Sequence, residues 1–134
     1  MVMVAGIGMS QNYRFLRPNA LKKGFFRLSN LAKVARFAVG SVVRHRLFGY
    51  RGVIYDVDPV FQGSDAWYRQ MARSRPPRNA PWYRVLVHQQ GLETYVAERN
   101  LAVDETGAPV EHPQVEQFLE RQRDGRYRRR AGSN

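Results

Sequence analysis

Apolar and polar residues alternate in two short runs that are separated by glycines. The first run, residues 42–47, has one side made of Val43, His45 and Leu47 and another made of Arg44 and Arg46. The second run, residues 52–57, alternates Val53, Tyr55 and Val57 with Ile54 and Asp56 and stops before Asp58-Pro59. A period of two is typical of a half-buried strand. The pattern therefore predicts an antiparallel hairpin that turns at Gly49 and carries arginines along one rim.

Similar patterns predict the remaining elements. Strands are expected at 81–88, 92–97 and 101–103, with a helical turn at 98–101. Ser64 is suited to cap a helix that continues to about residue 73, before Pro76-Pro77. A second helix is predicted over 113–122, where Val115, Phe118 and Leu119 form an apolar stripe. Short strands with one helical excursion predict a mainly β fold, a small and strongly curved β-barrel with a C-terminal helix outside it.

This assignment divides the 134 residues into four segments. Residues 1–35 are a basic extension without clear periodicity, expected to be dispensable for folding. Residues 36–104 form the barrel, and residues 105–123 form a turn and the C-terminal helix. Residues 124–134 are predicted to be a frayed basic tail.

The net charge of +11 is distributed unevenly along the chain. Residues 1–55 contain ten Lys or Arg and no acid, residues 56–120 contain six Arg and ten acids, and residues 121–130 contain six Arg and one Asp. Basic segments of this kind are suited to phosphate contacts, and solvated tails are the alternative. The acidic balance of residues 56–120 is expected to keep DNA away from most of the barrel and to leave a face for proteins.

Few residues are suited to catalysis or to holding a cofactor. The chain has no Cys, which excludes disulfides and thiolate chemistry and fits a reducing cytoplasm. His45 is interpreted as a core or rim histidine, and the neighbouring Asp56 and Asp58 as turn-capping residues. We therefore expect no enzyme activity, no metal and no cofactor. No apolar run is long enough to span a membrane.

The remaining chemistry is that of a binding surface. We expect arginines and aromatic residues to be exposed on the first hairpin and on the outward side of the third strand. The candidate DNA- or partner-binding residues are Arg44, Arg46, Tyr50, Arg51, Trp82 and Arg84. Candidate phosphate contacts in the tail are Arg126, Arg128, Arg129 and Arg130. Such residues suit phosphates and bases and suit a protein hot spot equally well.

Three ordered blocks carry a family resemblance: FAVGSVVRHRLFGYRGVIYDVDP, PWYRVLV and TYVAERNL. Together with HPQVEQF at 112–118 they resemble the HspQ family, also called YccV-like or hemimethylated-DNA-binding proteins. The resemblance implies an SH3-like β-barrel.

The resemblance also implies two roles, without catalytic residues. One is binding of double-stranded DNA methylated on one strand. The other is a heat-shock role in which the protein helps the Lon protease select substrates such as the replication initiator protein. The segment GYRGVI offers an alternative, because it resembles the turn of KOW-type or Tudor-like barrels that bind RNA or a ribosomal or protein partner. Homo-oligomer formation is left open.

Overall fold

A computed structural model describes residues 34–132, in which short antiparallel strands predominate. The strands are β1 Val42–His45, β2 Arg51–Asp58, β3 Trp82–Val87, β4 Glu93–Ala97, β5 Leu101–Val103, β6 Leu119–Arg121 and β7 Tyr127–Arg129. The helices are α1 Asp65–Met71 and α2 Val115–Phe118, and a 3-10 turn, Glu98–Asn100, joins β4 to β5. Apart from residues 34 and 35, the predicted basic extension lies outside the described residues.

Strands β1 to β5 form one antiparallel sheet in the order β4-β3-β2-β1-β5. In the predicted first hairpin Val43 pairs with Gly52 and Arg44 pairs with Arg51. β4 and β5 lie at opposite edges of the sheet, although only the 3-10 turn separates them in sequence. The sheet must therefore curl until these edges approach one another. The prediction of a mainly β fold is confirmed, with the geometry of a small, partly open barrel.

The inside of the curled sheet is a compact apolar core. It consists of Phe37, Val43, Ile54, Tyr83, Val85, Val96 and Leu101. The Tyr83 hydroxyl donates a 2.5 Å hydrogen bond to Glu98 and accepts one of 3.2 Å from the Phe37 amide. These bonds join the chain entry at Phe37 to the turn at Glu98, so they help to close the barrel at this end.

The outside of the sheet is also covered. Helix α1 is N-capped by Ser64, whose Oγ accepts a 3.0 Å bond from the Trp67 amide, as predicted. Trp67 packs against Trp82 and Tyr95 on the outer face of β3 and β4. The C-terminal segment covers a second part of the outer face, where Leu119 and Tyr127 pack with Val53, Tyr55, Leu86, Val110 and Val115.

The helix predicted over 113–122 is present only at Val115–Phe118, and the rest of the predicted range is not helical. Helix α2 ends at Phe118, and the chain continues as β6, which pairs with β7 in a hairpin. The reason is burial: a strand from Leu119 places that side chain in the same cluster as Tyr127. Residues 127–129 are thus a strand, not part of a frayed tail. We call residues 119–130 the C-terminal hairpin.

Candidate nucleic-acid interface

Two arginines of the first hairpin face each other and share one carboxylate. Arg44 and Arg51 are directly opposite in the β1–β2 ladder, an arrangement that is destabilising for like charges. Oδ1 of Asp104 lies 3.3 Å from Nη2 of Arg44 and 3.2 Å from Nε of Arg51. The two cations and one anion leave a net positive site, and the Arg44 side chain is 44% exposed.

The ionisation state of the Asp104 carboxyl group follows from the groups around it. Burial of this carboxylate acts to raise its pKa, but the Thr106 hydroxyl and the guanidinium groups of Arg51 and Arg44 outweigh this effect. The pKa of Asp104 is therefore lowered, and the carboxylate is ionised at neutral pH. It holds the exposed Arg44 beside Arg51, whose side chain is only 13% exposed, and it cannot neutralise both.

The turn that follows β1 holds two more of the predicted residues. Arg46 is exposed, and its Nε donates a 3.1 Å bond to the Leu101 carbonyl. Tyr50 is only half-buried, but its hydroxyl is hydrogen-bonded to Thr94 at 2.9 Å and its ring lies 5.0 Å from that of His45. Burial raises the pKa of Tyr50 to about 12, although the bond to Thr94 acts in the opposite direction. Tyr50 is thus a packed rim residue.

His45 organises the same turn. Its buried ring accepts 3.1 Å hydrogen bonds at Nδ1 from the amides of Leu47 and Phe48. Burial lowers the pKa of His45 to about 4, so the ring is neutral at pH 7 and Nδ1 is available as an acceptor. The interpretation of His45 as a core or rim histidine agrees with this position.

The predicted tail arginines lie on the C-terminal hairpin. The side chains of Arg126, Arg128, Arg129 and Arg130 are exposed. Arg128 forms a two-pronged contact with Glu120 directly across the hairpin, at 3.1 and 2.8 Å. This hydrogen bond and the charge of Arg128 lower the pKa of Glu120. Tyr127 is the buried anchor of the hairpin, and its hydroxyl accepts a 3.0 Å bond from the Val110 amide.

The loop at residues 104–108 connects the two basic elements. Arg51 donates a 2.6 Å bond to the Ala108 carbonyl, and Arg121 of the C-terminal hairpin donates a 3.0 Å bond to the Gly107 carbonyl. A cleft beside this loop is lined in part by Arg36 and Arg126. Sequence reasoning missed Arg36 and Arg121 as members of this surface, because only the fold brings residue 36 near residue 126. We call the surface formed by nine arginines the basic face: Arg36, Arg44, Arg46, Arg51, Arg121, Arg126, Arg128, Arg129 and Arg130.

The prediction that Trp82 and Arg84 are exposed is wrong. They are 2% and 1% exposed. Both do lie on the outer side of β3, as the alternation predicted, but α1 and its neighbours cover that side. The Trp82 indole donates a 3.1 Å bond to the Pro77 carbonyl, and the Arg84 guanidinium lies 5.9 Å from the centre of the Tyr95 ring. These two residues therefore stabilise the packing of α1 and cannot contact a partner directly.

The two aspartates near the end of β2 have separate structural roles. The β2–β3 register shifts between Ile54 and Asp56. Asp56 accepts a 3.0 Å bond from the Val57 amide, whereas Asp58 is buried and accepts a 2.7 Å bond from the Tyr95 hydroxyl. Within residues 34–132, no three His, Cys, Asp or Glu side chains are grouped to hold a metal ion. No helix in the same range is long and apolar enough to cross a membrane.

The fold and its basic face define a small β-barrel module suited to binding an anionic polymer. The family described as hemimethylated DNA-binding protein YccV like matches residues 35–126. This match covers more than half of the chain, and the chain therefore belongs to the YccV-like family, a family of DNA-binding domains and not of enzymes. The matched range contains Arg44, Arg46 and Arg51 and ends before Arg128.

Proposed function

We propose that this protein binds duplex DNA through the basic face, with a preference for DNA methylated on one strand. The observation that carries the proposal is the family match over residues 35–126. We assign DNA binding to the basic face because the loop 104–108 connects Arg44 and Arg51 of the first hairpin to the C-terminal hairpin. Lysine and arginine contacts to phosphates supply most of the affinity of such an interface.

The shape of the C-terminal hairpin suits the major groove. A two-stranded β-ribbon fits into this groove, where the base edges that distinguish sequences are displayed. Base methyl groups lie in the same groove, so a ribbon positioned there can distinguish a duplex methylated on one strand from one methylated on both. The exposed arginines of the first hairpin would then fix the register by contacts to the adjacent backbone.

The experiment is a titration of labelled duplex DNA at several salt concentrations. If the basic face contacts about four to six phosphates, log K should fall with log salt with a slope of roughly −4 to −5. The double substitution Arg44→Gln/Arg46→Gln and the pair Arg126→Gln/Arg129→Gln should each reduce that slope by roughly 2. Arg69→Gln, an exposed arginine on α1 outside the basic face, is the matched control. An equal loss per removed charge in Arg69→Gln, a slope reduced by roughly 1, would assign binding to total charge and contradict the proposed location.

Duplex RNA tests the alternative of an RNA-binding barrel. The protein should bind a methylated DNA duplex more tightly than an RNA duplex of the same sequence, because A-form RNA has a deep, narrow major groove that side chains cannot enter. Equal or tighter binding of RNA would favour the KOW-like interpretation.

A second proposed role is modulation of the Lon protease in the heat-shock response, including degradation of the replication initiator protein. The specific observation that favours a protein partner is the exposure of Leu47 and Phe48, at 62% and 56%, at the tip of the first hairpin. Protein contacts depend on desolvated apolar anchors more than on charge.

Degradation of a Lon substrate, with and without this protein, tests this role. Leu47→Ser/Phe48→Ser should abolish the effect on the rate, and Arg126→Gln/Arg129→Gln should keep it. We substitute these arginines and do not delete their segment, because deletion would also remove the buried Tyr127. If wild-type protein changes neither the rate nor the choice of substrate, the Lon role is rejected.

A further inference from the structure

An apolar groove lies beside β4, on a part of the molecule that the basic face leaves unused. Four consecutive residues, Thr94 to Ala97, line it. Since successive side chains of a strand point to opposite faces, lining by consecutive residues means that the groove lies along the strand edge. Its walls are α1, through Trp67 and Met71, and the turn of the first hairpin, through Phe48.

β4 pairs with β3 only and is an edge of the sheet, but this edge is not open to a further strand. Thr94 to Ala97 are only 3–6% exposed. A partner can therefore reach β4 only by inserting a side chain into the groove.

The size of the groove limits what it can hold. Its volume is about 100 Å³, well below the roughly 300–1,000 Å³ typical of small-molecule sites. This space suits one large apolar side chain carried by a peptide. Leu47 and Phe48 form an exposed apolar margin on one side of it.

The charge around the groove indicates the chemistry of the peptide. No Asp or Glu occurs among its lining residues in the described part of the chain. Arg73 is one of the lining residues. Two more arginines bond to lining residues: the Arg46 amide donates to the Asn100 carbonyl, and the Arg99 side chain donates to the Ser74 carbonyl. The acids at the two ends of β4 are engaged elsewhere, since Glu93 accepts from Tyr55 and Glu98 accepts from Tyr83. The rim is therefore basic.

We propose that this groove, which we call the β4 groove, binds an extended acidic peptide segment and takes up one of its large apolar side chains. The peptide lies across the mouth of the groove, its anchor enters between Phe48 and Met71, and its carboxylates face the rim arginines. The proposal goes beyond DNA binding, because the groove lies outside the basic face except for Arg46.

The test uses full-length protein and the fluorescent peptide EDELFVEDE, with EDESSSEDE and KRKLFVKRK as comparison peptides. We expect binding of the first peptide only, because the second lacks an anchor and the third has the wrong charge. In NMR spectra of the protein, the amides of residues 94–97 and Met71 should shift on binding, and that of Val103 should not. Absence of binding, or equal binding of KRKLFVKRK, would overturn the proposal.

Substitutions locate the site. Phe48→Ser and Met71→Glu should each weaken the peptide affinity by about tenfold or more. The matched control is Val103→Ser on β5, since Val103 is as exposed as the hairpin tip, at 62%, but lies outside the β4 groove. Phe48 is exposed, so its substitution leaves the fold intact even if Met71→Glu does not. Unchanged affinity in Phe48→Ser would overturn the proposal.

DNA serves as the final discriminating ligand. Phe48→Ser should leave duplex DNA affinity unchanged, and DNA should not displace the peptide. If DNA displaces the peptide and Phe48→Ser weakens both ligands by the same factor, the β4 groove is part of the DNA surface and the peptide proposal is wrong. Failure of DNA binding alone leaves the peptide result intact, so the two proposals fail separately.

Discussion

Gly40 lies against the main chain of Tyr127 so closely that a Cβ atom at residue 40 would be 1.7 Å from the Tyr127 carbonyl oxygen. The Tyr127 amide also donates a 3.0 Å bond to the Gly40 carbonyl. Gly40 has φ +96°, in the region that favours glycine. This contact attaches the C-terminal hairpin, with its arginines, to the barrel.

Gly40→Ala should therefore release the C-terminal hairpin. The new methyl group overlaps with backbone atoms that cannot move without displacing β7, and the positive φ adds about 1 kcal/mol of strain. We expect a large fall in melting temperature and rapid trypsin cleavage within residues 121–130. Gly107→Ala is the matched control, because Gly107 also has positive φ but has open space around it. Equal losses in the two variants would show that strain, not contact with Tyr127, is the cause.

The position of this hairpin could not be predicted from the sequence. Tyr127 is one aromatic residue between Arg126 and Arg128, and such a segment resembles a solvated tail. The apolar stripe of Val115, Phe118 and Leu119 fits helical spacing, but burial of Leu119 beside Tyr127 favours the strand. Contacts between segments that are distant in sequence therefore determine both the docking of the C-terminal hairpin and the change from helix to strand at Leu119.

The barrel was more predictable because its signals are local. Alternation, the turn at Gly49 and the Ser64 cap each act within a few residues and agree with the structure. Alternation also placed Trp82 and Arg84 on the outer side of β3. It could not show that α1 covers that side, since this depends on how Trp67 packs against Trp82.

Tyr83→Phe tests the closure of the barrel. The substitution keeps the ring but removes the hydroxyl shared by Glu98 and the Phe37 amide. Leaving buried partners unsatisfied costs about 1–3 kcal/mol, so urea unfolding should show a loss of this size. Tyr68→Phe, which removes one bond to the Pro76 carbonyl, should cost less. Equal losses in the two variants would contradict the role given to Tyr83.

His45 should make stability depend on pH. Its pKa is about 4 in the folded protein and about 6.5 in the unfolded chain. Between these values the unfolded chain binds more protons, so stability falls as the pH drops from about 6.5 to 4, by up to about 2–3 kcal/mol. His112, whose pKa is also lowered by burial, acts in the same direction. The free energy of unfolding of His45→Gln should depend less on pH across this window. An unchanged pH dependence would contradict this assignment.

Asp104→Asn should change stability and DNA affinity in opposite directions. Removing the carboxylate leaves Arg44 opposite Arg51 without their shared anion, and we expect a loss of about 1–3 kcal/mol. The same change removes one negative charge from the basic face, which raises its net charge by one, and should tighten DNA binding. Glu105→Gln, an exposed neighbour, removes the same charge without breaking that contact. Weaker DNA binding by folded Asp104→Asn would contradict the location of the face.

The measurement that tests the central proposal most directly is duplex affinity as a function of methylation. One sequence is prepared unmethylated, methylated on one strand and methylated on both strands, and its affinity is measured at a single salt concentration. We predict the tightest binding for the duplex methylated on one strand, and loss of this preference in the arginine variants of the C-terminal hairpin. Equal affinity for all three duplexes would contradict recognition of the methylation state.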